Sequence, residues 1–416
     1  MNGMTGAAAV GDVTGGPSGQ GRMMVARAFL AQNVAVGCAF GGFGVSVLPL
    51  QQLYGASRGT TTLSLALCVL VLGLVSPLIG ALIGRIGLRW TMTIGTAISG
   101  AGYALLAIAP SMPVVLLLYA LPIGVGLAMF GPFPASVLAS NWFRRNPGTA
   151  LGIANTPLFV ALLPMVGLIV IRDHGLGAFY LTLAALHVAL LPVMLGVSDA
   201  PAEAGQQLGH GHGHGGGAMM SARALLRRPA FWVISLGAGY LSAVGITAVS
   251  HLVAFVAERG VAASEAAGLL SIMGGAAVIG SLVIGFLCGR LGAPFSLGLI
   301  AAGLALSWLA LLSTRSFPLM ALASLMLGAG GAGVFPAVNM LSARLFGQDS
   351  LPRVIGLFGV VTLPLTFFLP PLAGVLRDII GGYGPVAMML IGGCVIIALL
   401  FFGMARAGRQ VQAPAV

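Results

Sequence analysis

The chain contains no lysine, and only eight of its 416 residues are acidic, so charged side chains make up 6% of it. A soluble domain of this length cannot be built with so little charge, because surface grows too fast with size to leave so few polar groups outside. Cysteine is scarce as well. Cys38, Cys68, Cys288 and Cys394 stand singly inside apolar runs, which excludes a disulfide framework or a cysteine metal site and makes them small hydrophobes. No Asp, Glu or Arg lies at the centre of any apolar run. That absence argues against an enzyme, which needs a nucleophile, a base and an orienting acid converging in one cavity. What fills the chain is apolar: 58% of residues are hydrophobic and the mean hydropathy is +1.05. The solvent is lipid.

All 19 basic residues are arginine, and the formal net charge is +11. They lie singly or in pairs at the ends of apolar runs and form no basic stripe, so nucleic acid is not the expected partner; a lipid bilayer is. Hydropathy divides the chain into twelve stretches, at 27–50, 61–83, 90–109, 113–140, 148–171, 177–196, 231–256, 265–288, 295–313, 317–343, 353–376 and 384–405. Each is near the ~20 residues a helix needs to cross the hydrocarbon core. Helices follow because every backbone group in lipid must be satisfied within its own segment, so the expected fold is all-α.

With the N-terminus inside, fourteen arginines fall on the inner side and five, Arg58, Arg172, Arg259, Arg315 and Arg377, outside. The positive-inside rule then places both termini in the cytoplasm of a multi-pass protein, expected in a bacterial inner membrane. Three of the outer arginines sit beside an acid, as Arg172-Asp173, Glu258-Arg259 and Arg377-Asp378, and local neutrality makes them weak opponents of that orientation. The expected organisation is a flexible tail at 1–25, a six-helix bundle at 26–197, a linker at 198–228, a second six-helix bundle at 229–406 and a tail at 407–416. The linker contains His210, His212 and His214 alternating with glycine. Glycine on both sides leaves nothing to hold a ligand geometry, so no metal or cofactor is expected, although three imidazoles could grip a metal ion.

One stretch occurs twice. "GALIGRIGLRW" at 80–90 is nearly repeated by "GFLCGRLGAP" at 285–294, "FPA" at 133–135 returns at 335–337, and Arg172-Asp173 returns as Arg377-Asp378. Landmarks repeating at offsets of 202 and 205 mean duplication, and two parallel six-helix halves are a signature of secondary transporters. Gly80-x-x-x-Gly84 and Gly285-x-x-x-Gly289 also allow close helix approach.

At these residues the chain resembles the major facilitator superfamily, whose motif between the second and third helices reads Gly-x-x-x-Asp-Arg-x-Gly-Arg-Arg. Gly80, Arg85, Gly87 and Arg89 match it, while Gly84 stands at the acid position and Gly289 at the corresponding place in the second copy. The resemblance implies a cytoplasmic gate at Gly80, Gly84, Arg85, Gly87, Arg89, Gly285, Gly289 and Arg290, lacking the usual acid of its latch. The segments 43–64, 141–154, 251–260 and 345–359 are similar to those of the monocarboxylate and oxalate/formate transporter branch. That likeness implies a secondary transporter moving a small organic acid, often together with a proton; a monomer is expected, and the absence of charged residues at the centre of any apolar run gives uniport weight as the alternative.

The residues partly resist this. Gly280-Ser281 stands where relatives commonly have Gly-Arg, so the cation a carboxylate wants near midplane is missing, and a neutral or weakly anionic substrate gains weight. His251, in the seventh stretch, can titrate near neutrality and donate to an anion. Tyr240, Ser242, Asn155, Ser281 and Thr362 complete the candidate substrate-binding set, each of which could instead bond a neighbouring helix. His187 reads as a packing residue, and "GAGGAG" at 328–333 as a site of bending or close packing. Efflux of amphipathic drugs, or a non-transporting receptor on a carrier scaffold, are the competing functions.

Overall fold

The computed structural model describes residues 19–142, 153–199, 220–347 and 350–410. Ten of its helices are long and apolar enough to cross a bilayer. Two of these are double. Arg58–Leu106 passes through Gly87 at φ 79° and ψ 167°, and Leu158–Leu195 through Gly175 at φ 85° and ψ 171°, and no helix accommodates such a residue. Each glycine therefore joins two helices, and the described residues form twelve membrane helices. These are α1 (Gly19–Tyr54), α2 and α3 (before and after Gly87), α4 (Met112–Trp142), α5 and α6 (before and after Gly175) and α7 (Pro229–Glu258). They continue as α8 (Ala263–Leu291), α9 (Ala293–Ser313), α10 (Phe317–Phe346), α11 (Leu351–Ile380) and α12 (Gly384–Gln410). A short helix, Ala222–Leu226, precedes α7.

Element ends differ from the hydropathy reading where polar residues stay helical. α1 starts at Gly19 rather than 27, carrying Arg22 and Arg27 in its first turns. The connection expected between α2 and α3 shrinks to Gly87 alone, and that between α8 and α9 to Gly292, at φ 87°. These two glycines are 205 positions apart and close the repeated stretches "GRIG" and "GRLG". The glycine half of the repeat is thus a turn requirement: an L side chain at either place would be forced into a left-handed conformation. Gly55 and Gly260, after α1 and α7, repeat the same device at the same offset.

Lipid offers no hydrophobic drive for helices to associate, so close approach and hydrogen bonding hold the bundle. A Cβ on Gly126 of α4 would stand 2.6 Å from Ser99 Cβ of α3. In the second half the same work falls to Gly328 of α10, against the Met273 carbonyl of α8, and to Gly280 of α8, against Ala329. The "GAGGAG" run is therefore a packing surface for α8. Many hydroxyls bond within their own helices, as Ser46 to the Gly42 carbonyl (2.9 Å), Thr96 to Met92 (2.8 Å) and Thr247 to Ala243 (2.8 Å). His187 is buried in the first half, its Nδ1 2.8 Å from the Leu183 carbonyl and its ring against Tyr103 and Phe130.

Candidate translocation cavity and its two ends

Between the halves lies a cavity of about 340 Å³, lined by Val36 and Phe40 of α1, Pro157 and Val160 at the start of α5, and residues of α7, α8 and α10. Phe40 belongs to a five-residue π turn, Gly37–Gly41, within α1. Such turns recur at functional sites because they displace one side chain from the regular helical register. Glycines at 245, 274, 328 and 331 leave room for a solute, and Ser242 is the one polar side chain among the lining residues. Among the described residues the wall carries no charged group.

The structure distributes the six substrate candidates unevenly. Ser242 lines the cavity. Tyr240 faces α12, its hydroxyl donating to the carbonyls of Met389 and Leu390 at 3.3 Å. Asn155 donates to Ser136 Oγ of α4 at 3.0 Å, and Thr362 donates to the Gly359 carbonyl at 3.3 Å while packing on Gly239 of α7. The Ser281 side chain, like the tract of His210, His212 and His214, lies outside the described residues. His251 is fully buried and turned toward α11, away from the cavity wall.

His251 belongs instead to a network that closes one end of the cavity. Nε2 lies 2.9 Å from the Pro370 carbonyl, which can only accept, so Nε2 carries the hydrogen. Nδ1 then accepts from the Tyr383 hydroxyl at 2.7 Å, and that same hydroxyl accepts from Arg58 Nη1 at 3.3 Å. Burial pushes the Tyr383 phenol above its ordinary value, which keeps its proton in place for this donation. Both ring nitrogens of His251 are thus engaged, and the neutral tautomer satisfies the chain.

Arg58 opens α2 in the first half; Tyr383, Glu258, Arg377 and Asp378 belong to the second. Glu258 Oε1 is 2.5 Å from Arg377 Nη2 and 3.7 Å from Arg58 Nη2, so one carboxylate serves guanidiniums of both halves. Asp378 pairs with Arg377 at 3.2 Å and accepts from the Gly59 amide at 3.1 Å. Backbone contact accompanies the charges: a Cβ on Gly374 of α11 would fall 2.7 Å from Gly59 Cα. Nearer the cavity, Gly44 of α1 sits against the Val249 carbonyl and Leu270, and Gly274 of α8 against Val160. At this end the halves are in contact across α1 and α2, and α5 meets α8 at the cavity wall.

The other end, which carries the repeated Gly-Arg stretches, is different. α2 and α11 still touch at Gly73 and Leu363, yet a Cβ on Gly84, Gly285, Gly289, Gly356 or Gly359 would meet nothing within 4 Å. Gly80 is 3.8 Å from Phe133 of its own half by the same measure. Arg89 lies over the neighbouring Trp90 ring and Arg290 over Phe286, each on its own helix. Among the described residues, these glycines therefore make no close contact with the other half. Sequence reading missed an acid at this end: Asp199, after α6, accepts from the Leu88 amide at 2.8 Å and the Arg89 amide at 3.4 Å. It caps the exposed N-terminus of α3, where helix amides and dipole favour a carboxylate. Asn141 and Trp142 of α4 donate to the Asp199 and Ser198 carbonyls, so the knot ties three helices of one half together.

Comparison with known proteins agrees with this architecture. The family model of the Major Facilitator Superfamily matches residues 29–362. Monocarboxylate transporter 12 of Rattus norvegicus is 23% identical over 444 aligned positions, covering 98% of this chain and 90% of the relative. The oxalate:formate antiporter of Oxalobacter formigenes is 24% identical, covering 88% of this chain and 87% of its own. Among solved structures, a bacterial homologue of the human lysosomal transporter Spinster superposes with a TM-score of 0.69 at 15% identity, over 96% of this chain and 100% of the other. A D-xylose–proton symporter superposes with a TM-score of 0.68 at 13% identity, over 91% and 97%. A duplicated twelve-helix bundle, a cavity between its halves and a family match over most of its length together make this chain a multi-pass membrane transporter of the Major Facilitator Superfamily.

Proposed function

We propose that this carrier moves a small organic acid with an apolar body, of the monocarboxylate class, by alternating access. The observation that carries the reading is the cavity: about 340 Å³ between the halves, apolar except for Ser242 among its described lining residues, with the halves in contact at the Arg58 end and glycines that meet nothing from the other half at the Gly-Arg end. The names of relatives covering most of the chain supply the carboxylate class. An apolar wall selects by fit, each buried CH₂ contributing about 0.8 kcal/mol, so affinity should rise with chain length until the cavity is full.

The Gly-Arg end faces the cytoplasm in this reading, because most arginines gather there. Residues 1–25 and 407–416 are then cytoplasmic tails, 198–228 a cytoplasmic linker, and 26–197 and 229–406 the two rocking bundles of a monomer. A proton travelling with the acid would let it cross as a neutral pair, which suits an uncharged wall. The same uncharged wall favours a second reading, carriage of a neutral amphipathic compound.

Counterflow in proteoliposomes separates the two. Labelled short-chain and aromatic acids should exchange, with their amides at least tenfold weaker, a difference of about 1.4 kcal/mol. Exchange of amides as fast as acids would favour the second reading, and exchange of neither would remove both.

A further inference from the structure

Among the described residues no cation lines the cavity, yet a carboxylate must shed water to enter it. We propose that the missing cation is Arg58: the start of α2 is the carboxylate-binding site of the carrier when its outer end opens, and Glu258 and Asp378 occupy that site as internal stand-ins when the end is shut. The inference rests on the organic-acid reading above and adds the residue that would recognise the acid.

Three observations carry it. Arg58 is 5% exposed at the seam between the halves, but it is poorly satisfied there: Nη1 reaches Tyr383 at 3.3 Å, Nη2 is 3.7 Å from Glu258, and the buried Nε has no acceptor. Glu258 is held far more closely by Arg377, at 2.5 Å, so the carboxylate that faces Arg58 belongs first to another guanidinium. The Nε–Nη edge is the side of the fork that a carboxylate grips bidentately, and it is underused. Beside it the first turn of α2 presents amides, and the Gly59 amide already binds a carboxylate, that of Asp378. Two acids of the second half thus sit on one anion-binding corner of the first half.

Alternating access turns this into an exchange. When the halves part at this end, Glu258 and Asp378 leave with α7 and α11, and Arg58 remains with α2, its Nε–Nη edge and the Gly59 amide facing the vestibule. An incoming carboxylate replaces the withdrawn ones. When the end closes again, Glu258 and Asp378 return, compete for the same donors and displace the anion toward the apolar cavity and the opposite end. Arg58 therefore selects for acids over amides, whereas the cavity selects for the size of the apolar body.

The test reads Arg58 itself. In proteoliposomes of the full chain, phenylglyoxal modification of Arg58 is followed by mass spectrometry in wild type and in Glu258→Gln, with acetate, benzoate and benzamide as probes. Arg58 should react slowly in wild type and at least severalfold faster in Glu258→Gln. Acetate and benzoate should protect it in the variant at roughly tenfold lower concentration than in wild type, while benzamide gives no protection. Counterflow of benzoate should show a KM raised at least tenfold in Arg58→Gln and partly restored in Arg58→Lys. Equal protection by benzoate and benzamide, protection by neither carboxylate, or an unchanged benzoate KM in Arg58→Gln would each overturn the assignment. A wild-type protein that exchanges no acid would instead remove the organic-acid reading, and protection of Arg58 by the two carboxylates would still report the anion corner, so the two failures are told apart.

Discussion

The two ends of the molecule hold arginines in opposite ways. At the Gly-Arg end, Arg89 and Arg290 rest on aromatic rings of their own helices, and the glycines beside them meet nothing from the other half. At the far end, Arg58 is buried at the seam and Arg377 shares a carboxylate with it, in the company of Gly59 and Gly374. Each set has two arginines, and the second joins the halves in this state. Exposed ion pairs are worth little, about 0–1 kcal/mol, whereas a partly buried pair left with one member pays a desolvation cost of several. Position relative to the seam, rather than the number of arginines, decides which end is latched.

The largest effect is expected where contact is backbone against backbone. Gly374→Ala places a Cβ 2.7 Å from Gly59 Cα, which no rotamer can relieve, and overpacking of this kind costs about 1–3 kcal/mol. The far end should fail to close, and exchange in proteoliposomes should fall at least tenfold with the protein still folded; exchange at the wild-type rate would show that the halves need not meet there.

Tyr383→Phe comes next. It removes the hydroxyl that joins Arg58 to His251 and leaves both with an unmade hydrogen bond, at a cost of about 1–3 kcal/mol. Thermal unfolding should shift downward and labelling of a cysteine at Thr60 should quicken, whereas an unchanged labelling rate would place the latch elsewhere.

Ser242→Ala tests the cavity. A single neutral hydrogen bond contributes about 0.5–1.5 kcal/mol, so KM should rise by roughly two- to tenfold with little change in maximal exchange. A KM that stays put would mean the solute does not use this hydroxyl.

The smallest effect belongs to Arg85→Ala. An arginine at the end of a helix interacts with its carbonyls by about 0.3–1 kcal/mol, and that is the interaction Arg85→Ala removes. The population should move slightly toward the state described, slowing turnover more than binding, as read from rates and binding constants in the same preparation. A large loss of binding would give Arg85 a direct role.

The same contrast explains what the sequence made legible. Twelve helices, their duplication and the turn glycines Gly87 and Gly292 are local properties, set by hydropathy and by the conformations one residue can adopt. The Gly-Arg stretches could be found for the same reason. The far-end network could not, because its members are distant along the chain: Arg58 meets Glu258 and Tyr383, and His251 meets Pro370, only once α2, α7 and α11 are packed. By charge counting Arg58 was merely an outer arginine and Glu258-Arg259 a neutral pair. Helical rise places His251 near one end of α7 but does not say which face it shows, and Tyr383 and Pro370 decide that. Asp199 could have been found from its place after α6, since an acid following a helix is a ready cap for a neighbour, but its partners at Leu88 and Arg89 lie more than a hundred residues away.

The most direct test of the account measures both ends at once. Spin labels on Thr60→Cys and Ile379→Cys report the far end, and labels on Gly84→Cys and Gly356→Cys report the Gly-Arg end, by double electron–electron resonance in proteoliposomes. The wild-type protein should show a short distance for the first pair with a long one for the second, and Glu258→Gln should lengthen the first and shorten the second together. Distances that leave the first pair unchanged in Glu258→Gln, or that move at the two ends independently, would contradict the claim that this carboxylate latches one end of a two-ended gate.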